Sequence, residues 1–102
     1  MTPQELFAEL EAGANPVLLD VREADELEIS VLPGVVHLPL GELANRLDEL
    51  DPEADTVVIC RTGGRSGRAT SFLQGQGFRR VRNLETGMNG WAQSVDPTMP
   101  VY

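Results

Sequence analysis

Val57-Val58-Ile59-Cys60-Arg61-Thr62-Gly63-Gly64-Arg65-Ser66-Gly67-Arg68-Ala69-Thr70 (VVICRTGGRSGRAT) places the only cysteine of a 102-residue chain at the end of an apolar run. Two adjacent glycines and three arginines follow it. The run before Cys60 is β-branched and unbroken by polar residues, the pattern of a short strand buried on both faces. The segment after it is too rich in glycine for a regular element. Beyond that, residues 67–74 read as a helix, with Ser66 as its N-cap and Gly75 or Gly77 as its stop. Strand, cysteine, glycine-rich loop and helix thus follow one another within twenty residues. The fold and the chemistry both turn on this stretch.

Thr2-Pro3-Gln4-Glu5 is a capping box with proline at the first helical position, which predicts a helix over 3–11 ending at Gly13. Val17-Leu18-Leu19-Asp20-Val21 reads as a second buried strand. The acidic segment 23–28 can form a short helix whose charges face solvent. Pro33-Gly34 marks a turn, and residues 35–38 a short strand ended by Pro39. Leu43, Leu47 and Leu50 share one face of a helix predicted over 41–50. A last strand over 80–84, a short helix around 89–93 and an extended tail containing Pro97 and Pro100 complete the chain. Strands alternating with helices predict a single α/β domain over 1–102, a central parallel sheet with helices on both faces.

Composition narrows the function. The net charge of −8 argues against nonspecific nucleic-acid or membrane binding, and no apolar run approaches the roughly 20 residues of a membrane span. The amino terminus carries neither a basic nor an apolar targeting segment. One cysteine can form neither an internal disulfide nor a cysteine-rich metal site, and a free thiol predicts a reducing compartment, the cytoplasm. No metal or other cofactor is expected. The charge is unevenly spread. Residues 1–60 hold two arginines against fourteen acids, a balance of −12, whereas residues 61–102 hold six arginines against Glu85 and Asp96, a balance of +4.

In open α/β sheets ligands bind beyond the carboxyl ends of the strands, where Cys60 is expected. A curled loop over 61–65 can point its N–H groups inward as an anion nest, and the helix after it adds its positive amino-terminal end. The same field favours a thiolate, which is a nucleophile. The alternative is that Cys60 is a small hydrophobe closing a strand. The glycine-rich loop and helix around it favour the reactive reading.

On these residues the chain resembles the rhodanese family of sulfurtransferases along nearly its whole length. Cys60 to Arg65, followed by Ser66 and a helix, resembles the family's six-residue catalytic loop. Asp20-Val21-Arg22-Glu23 and Pro33-Gly34, within LLDVREADELEISVLPGVVHLPL, resemble its amino-terminal signature. NLETGMNGW, from Asn83 to Trp91, is similar to its Asn-Leu-x-Gly-Gly-x-x-x-Trp motif. Three positions depart: Ser30-Val31 replaces a common Gly-His, and Thr86 stands where glycine is common.

The resemblance implies a ping-pong reaction. Cys60 takes the outer sulfur of a donor such as thiosulfate as a persulfide and passes it to cyanide, a thiol or a protein acceptor. Arg61, Thr62, Gly63, Gly64, Arg65 and Ser66 would form the substrate cradle, with Arg65 or Arg61 on the donor's anionic group. Either arginine could instead pair with an acid of the amino-terminal half. Asp20 and Arg22 would brace the site, Arg68 is read as a surface group and Trp91 as core, and no role is expected for His37. WAQSVDPTMPVY resembles the ending of rhodanese domains fused to enzymes that adenylylate ubiquitin-like sulfur carrier proteins, which makes such a carrier a candidate partner. Two other readings stand beside this one. A persulfide carrier or binding module would load sulfur but turn over slowly. A phosphatase or arsenate reductase would need Cys-x5-Arg, whereas Arg65 follows Cys60 after four residues.

Overall fold

The computed structural model describes residues 1–102. Its order is α1 (Pro3–Glu11), β1 (Val17–Asp20), α2 (Ala24–Leu27), β2 (Val36–His37), two 3₁₀ segments (Leu40–Glu42 and Ala44–Glu49), β3 (Thr56–Ile59), α3 (Gly64–Gly75), β4 (Val81–Asn83) and α4 (Gly87–Ser94). The four strands form one fully parallel sheet in the order β2-β1-β3-β4. The chain therefore builds β1, moves to one side for β2, then returns to the other side for β3. The strand order reverses between β1 and β3, and Cys60 emerges at that crevice.

Period-two alternation divides the core. Leu19, Val21, Val58 and Cys60 face one layer, where they meet Ala69 and Leu73 of α3 and Leu38, Leu43, Phe78 and Val81. Leu18, Val57 and Ile59 face the other, against Leu6 of α1, Met88 and Trp91 of α4, Leu32 and Leu84. Helices thus cover both faces, as parallel strands require. The same alternation sends the Cys60 side chain toward α3. No helix is long and apolar enough to cross a membrane.

Local signals explain the elements. The capping box of α1 forms in both directions: Glu5 N–H donates to Thr2 Oγ1 at 3.1 Å and Thr2 N–H donates to Glu5 Oε1 at 2.8 Å. The helix predicted over 41–50 is instead two 3₁₀ segments, the second kinked at Arg46 with φ −123° and ψ 22°. Leu40 and Leu43, then Leu47 and Leu50, are spaced three apart, which suits the three-residue turn of that helix. These leucines still pack on the core as their pattern requires. The strands over 35–38 and 80–84 shorten to Val36–His37 and Val81–Asn83, and the last helix lengthens to Gly87–Ser94.

The helix after Cys60 begins at Gly64, with Gly63 as its N-cap at φ +103°, so Ser66 lies inside the first turn rather than capping it. Its hydroxyl is engaged elsewhere, at the sulfur. The tail is not simply extended either: it turns at Asp96, where Met99 N–H donates to the Asp96 carbonyl, and returns to the sheet's carboxyl edge.

Between β4 and α4 the backbone passes close behind Cys60. Met88 N–H donates to the Cys60 carbonyl at 2.9 Å and Asn89 N–H to the Arg61 carbonyl at 3.0 Å. Gly87, at φ +54°, permits this approach: a Cβ there would lie 2.3 Å from the Cys60 carbonyl oxygen. Thr86 precedes it at φ +63°, an uncommon conformation for a β-branched residue. Left-handed backbone costs a non-glycine residue roughly 1–2 kcal/mol, only part of which glycine's extra unfolded-state entropy cancels. Thermal unfolding followed by circular dichroism should therefore show Thr86→Gly to be more stable than wild type, by up to about 1 kcal/mol. Gly87→Ala, which drives a methyl into backbone, should lose about 3 kcal/mol.

Candidate active site

Cys60 follows β3 directly, is 1% exposed, and is the free thiol of the chain. Its sulfur is held by donors from the loop and the first turn of α3. Gly63 N–H points at Sγ from 3.0 Å and Ser66 Oγ lies 3.2 Å away. Burial alone would push this thiol up. The Ser66 hydroxyl and the backbone N–H groups of Ser66, Gly63 and Thr62 outweigh it, and the thiol sits below its ordinary value. Donors that favour the charged form win over desolvation.

Asn83, at the end of β4, fixes both donors. Its Nδ2 donates to the Gly63 carbonyl at 3.2 Å, which turns its Oδ1 toward Ser66 Oγ at 2.5 Å. The hydroxyl has one proton and two acceptors, Sγ and Asn83 Oδ1, so it can turn to the sulfur when a negative charge forms there.

The two loop arginines have different fates. Arg65 is bound bidentately by Glu26 of α2, at 2.6 and 2.8 Å. Its guanidinium is therefore neutralised in this structure, by an acid whose charged segment alone predicts a solvated face. The Arg65 guanidinium, helped by the Tyr102 hydroxyl at 2.7 Å, holds the Glu26 carboxyl down to about 2. Arg61 has no carboxylate within 4.0 Å; its guanidinium carbon lies 4.9 Å from the centre of the Tyr102 ring. Thr62 is exposed, while Gly63 and Gly64 carry the turn into α3.

Asp20 and Arg22 form a fully buried pair at the end of β1. Arg22 Nη2 and Nε donate to the Asp20 carboxylate at 2.8 to 3.1 Å, and the Arg22 N–H donates to Asp20 Oδ1 at 3.1 Å. Arg22 Nη1 also donates to Tyr102 Oη at 2.9 Å, joining this pair to Glu26 and Arg65 through one hydroxyl. His37 lies outside the cradle with Nε2 2.7 Å from the Arg22 carbonyl, and Trp91 is core. A cleft of about 410 Å³ at the opposite end of the sheet, lined by Glu9, Asp55 and Arg79 to Arg82, is remote from the thiol. No cluster of metal-ligating side chains exists.

Glu26, Asn83 and Tyr102 are the site residues that sequence reading missed. Asn83 begins the NLETGMNGW motif and Tyr102 lies in the WAQSVDPTMPVY tail, but sequence does not show the contacts of either. Glu26 carried no signal beyond its charge.

The Glu26–Arg65 pair sets a pH dependence. Glu26 falls from about 4.3 in an unfolded chain to about 2 when folded, so on acidification the unfolded chain takes up the proton first. The pair's contribution is complete above about pH 5 and is lost as pH falls toward about 2. Wild type should unfold at a higher temperature than Glu26→Gln at pH 7, with the gap closing between about pH 5 and pH 2. A constant gap across that range would show the ion pair to be idle.

A rhodanese-like domain signature matches residues 2–94. The chain is 36% identical over 92 residues to the putative sulfurtransferase YtwF of Bacillus subtilis, covering 90% of this chain and 88% of that protein. It is 45% identical over 79 residues to the putative sulfur carrier protein YrkF of the same organism, covering 78% of this chain and 43% of YrkF. It thus spans under half the length of such longer relatives. The human single-domain sulfurtransferase TSTD1 superposes with a TM-score of 0.79 at 25% identity, over 92% of this chain and 95% of that one. With its parallel sheet, its lone cysteine at the strand reversal and this signature over nearly its whole length, the chain belongs to the rhodanese-like domain family.

Proposed function

We propose that the protein is a sulfurtransferase that carries a sulfane sulfur on Cys60. The observation that carries this reading is the sulfur's surroundings: a cysteine at the strand reversal, faced by the Gly63 N–H at 3.0 Å and the Ser66 hydroxyl at 3.2 Å, with its thiol lowered despite burial. In the first half-reaction the thiolate attacks the outer sulfur of thiosulfate. A new S–S bond forms, the donor's own S–S bond breaks, and sulfite leaves with the electron pair. In the second, an acceptor nucleophile attacks the terminal sulfur of the persulfide and the thiolate departs. The loop N–H groups stabilise the anionic terminal sulfur as it forms.

The near-complete burial of Cys60 favours transfer of one terminal atom over attack on a bulky tetrahedral phosphate. Arg61 is the better candidate for the donor's sulfonate, since Arg65 is already held by Glu26. The cytoplasm is the compartment we propose for such a thiol. The acceptor we propose is a small thiophile or a protein carrier. The name of YrkF supports a carrier-linked role. In that second reading the domain loads sulfur in one turnover and passes it on only to its protein partner, for which a ubiquitin-like sulfur carrier is the candidate.

Intact-mass measurement after exposure to thiosulfate tests the core claim. Wild type should gain one sulfur atom and lose it to cyanide, and Cys60→Ser should do neither. Sulfur transfer by Cys60→Ser would end the persulfide reading. Arg61→Ala should lower kcat/KM for thiosulfate about tenfold to a hundredfold, the worth of a charge-assisted hydrogen bond. Loading without turnover on cyanide or small thiols would decide for the carrier.

A further inference from the structure

The Tyr102 side chain touches the environments of both arginines that flank the glycine pair. Its hydroxyl donates to Glu26 Oε2 at 2.7 Å and accepts from Arg22 Nη1 at 2.9 Å, and Glu26 in turn grips Arg65. The face of its ring lies under Arg61, 4.9 Å from the guanidinium carbon. Asn89 ties the same two residues a second time. Its N–H donates to the Arg61 carbonyl at 3.0 Å, and its Oδ1 accepts from the Tyr102 N–H at 3.0 Å. The ring is therefore fixed at its hydroxyl end and at its backbone, with the exposed Arg61 side chain laid across it.

The consequence concerns Arg61 alone. A long exposed arginine loses rotamer freedom when it binds an anion. A guanidinium already seated on an aromatic face has lost much of that freedom, and stacking leaves its charge and edge N–H groups available. Arg65 offers no such edge while Glu26 occupies it.

We propose that Tyr102 is a positioning residue for the sulfur donor: its ring holds the Arg61 guanidinium beside the Cys60 loop in an orientation that receives the anionic group of the donor. This rests on the sulfurtransferase reading and adds to it a selectivity for anionic donors. The effect belongs to the donor half-reaction. Transfer from the persulfide to a thiol such as dithiothreitol brings no sulfonate for Arg61 to hold: the attacking thiolate carries its charge on the one sulfur aimed at the persulfide.

The ping-pong scheme lets the two halves be read separately, as kcat/KM for thiosulfate and kcat/KM for dithiothreitol. Tyr102→Phe and Tyr102→Leu both remove the hydroxyl and its bonds to Arg22 and Glu26, so whatever that loss costs is common to them. They differ in the ring. Tyr102→Leu should have a thiosulfate kcat/KM about fivefold below that of Tyr102→Phe, the scale of one cation–π contact, while their dithiothreitol values agree. Tyr102→Trp should retain the donor value of Tyr102→Phe. In an Arg61→Ala background the difference between Phe and Leu should vanish.

Equal thiosulfate values for Phe and Leu would overturn the proposal, as would a matching loss in the dithiothreitol half. So would a difference that persists without Arg61. Failure of the underlying reading looks different: wild type itself would gain no sulfur from thiosulfate by mass.

Discussion

A guanidinium with no exposure to solvent is the constraint around which this domain is arranged. Arg22 lies at 0% exposure, and a charge so placed is tolerable only if paired and fully hydrogen-bonded. Its Nε and Nη2 meet the Asp20 carboxylate, Nη2 also reaches the Ser30 carbonyl, and Nη1 reaches the Glu26 carbonyl and Tyr102 Oη. These partners come from the end of β1, from α2, from the segment after it and from the tail. Removing one partner of such a pair costs about 3–5 kcal/mol, because the other charge stays behind. The pair is thus a poor source of net stability and a strong determinant of geometry. It requires α2 and the tail to converge on the carboxyl edge of β1, the edge where β3 delivers Cys60.

The cysteine is positioned by two independent rules. Parallel-sheet topology puts the end of β3 at the strand reversal, and period-two alternation sends the side chain toward α3 instead of α1 and α4. Once there, the sulfur is nearly as buried as the leucines around it, which opposes ionisation. The loop answers with backbone and hydroxyl donors, which keep their place because Asn83 and Gly87 hold the backbone from behind. Lowering the thiol chiefly by fixed dipoles has a chemical benefit. The donors serve the thiolate and, in the proposed reaction, the anionic persulfide alike, and no side chain has to leave before a donor enters.

What could be read from the sequence follows the range of the forces involved. The strands and α1 are set by local pattern, and Thr56–Ile59 and Pro3–Glu11 lie where their hydrophobic runs and capping box put them. Segment 41–50 shows its apolar spacing but not its helix type, since leucines three apart suit either an α-helix or 3₁₀ turns. Ser66 misled for a physical reason. A serine at a helix start usually caps, but here a buried sulfur and Asn83 compete for the hydroxyl, and positive-φ Gly63 opens the helix without a side-chain cap. Glu26 could not be read at all. Its partner lies 39 residues away, and no local pattern separates it from the acids beside it.

The charge asymmetry of the chain acquires its meaning from those distant pairs. The basic half does not form one uniform attractive field. Arg65 is taken by Glu26, Arg82 by Glu9 and Asp55, and Arg79 by Glu53, all acids of the other half. The partly buried pairings of Arg65 and Arg82 turn a cation into a strut between segments, whereas Arg79 and Glu53 pair in solvent. Arg61 is the exception at the site: it directly follows the cysteine, meets no carboxylate and rests on an aromatic ring. An acidic protein with a pI near 4.4 repels anions at long range. It can still bind one at close range if a single cation at the reaction centre is kept free of the surrounding acids. Stacking on Tyr102 achieves that separation, because a ring face restrains a guanidinium without neutralising it.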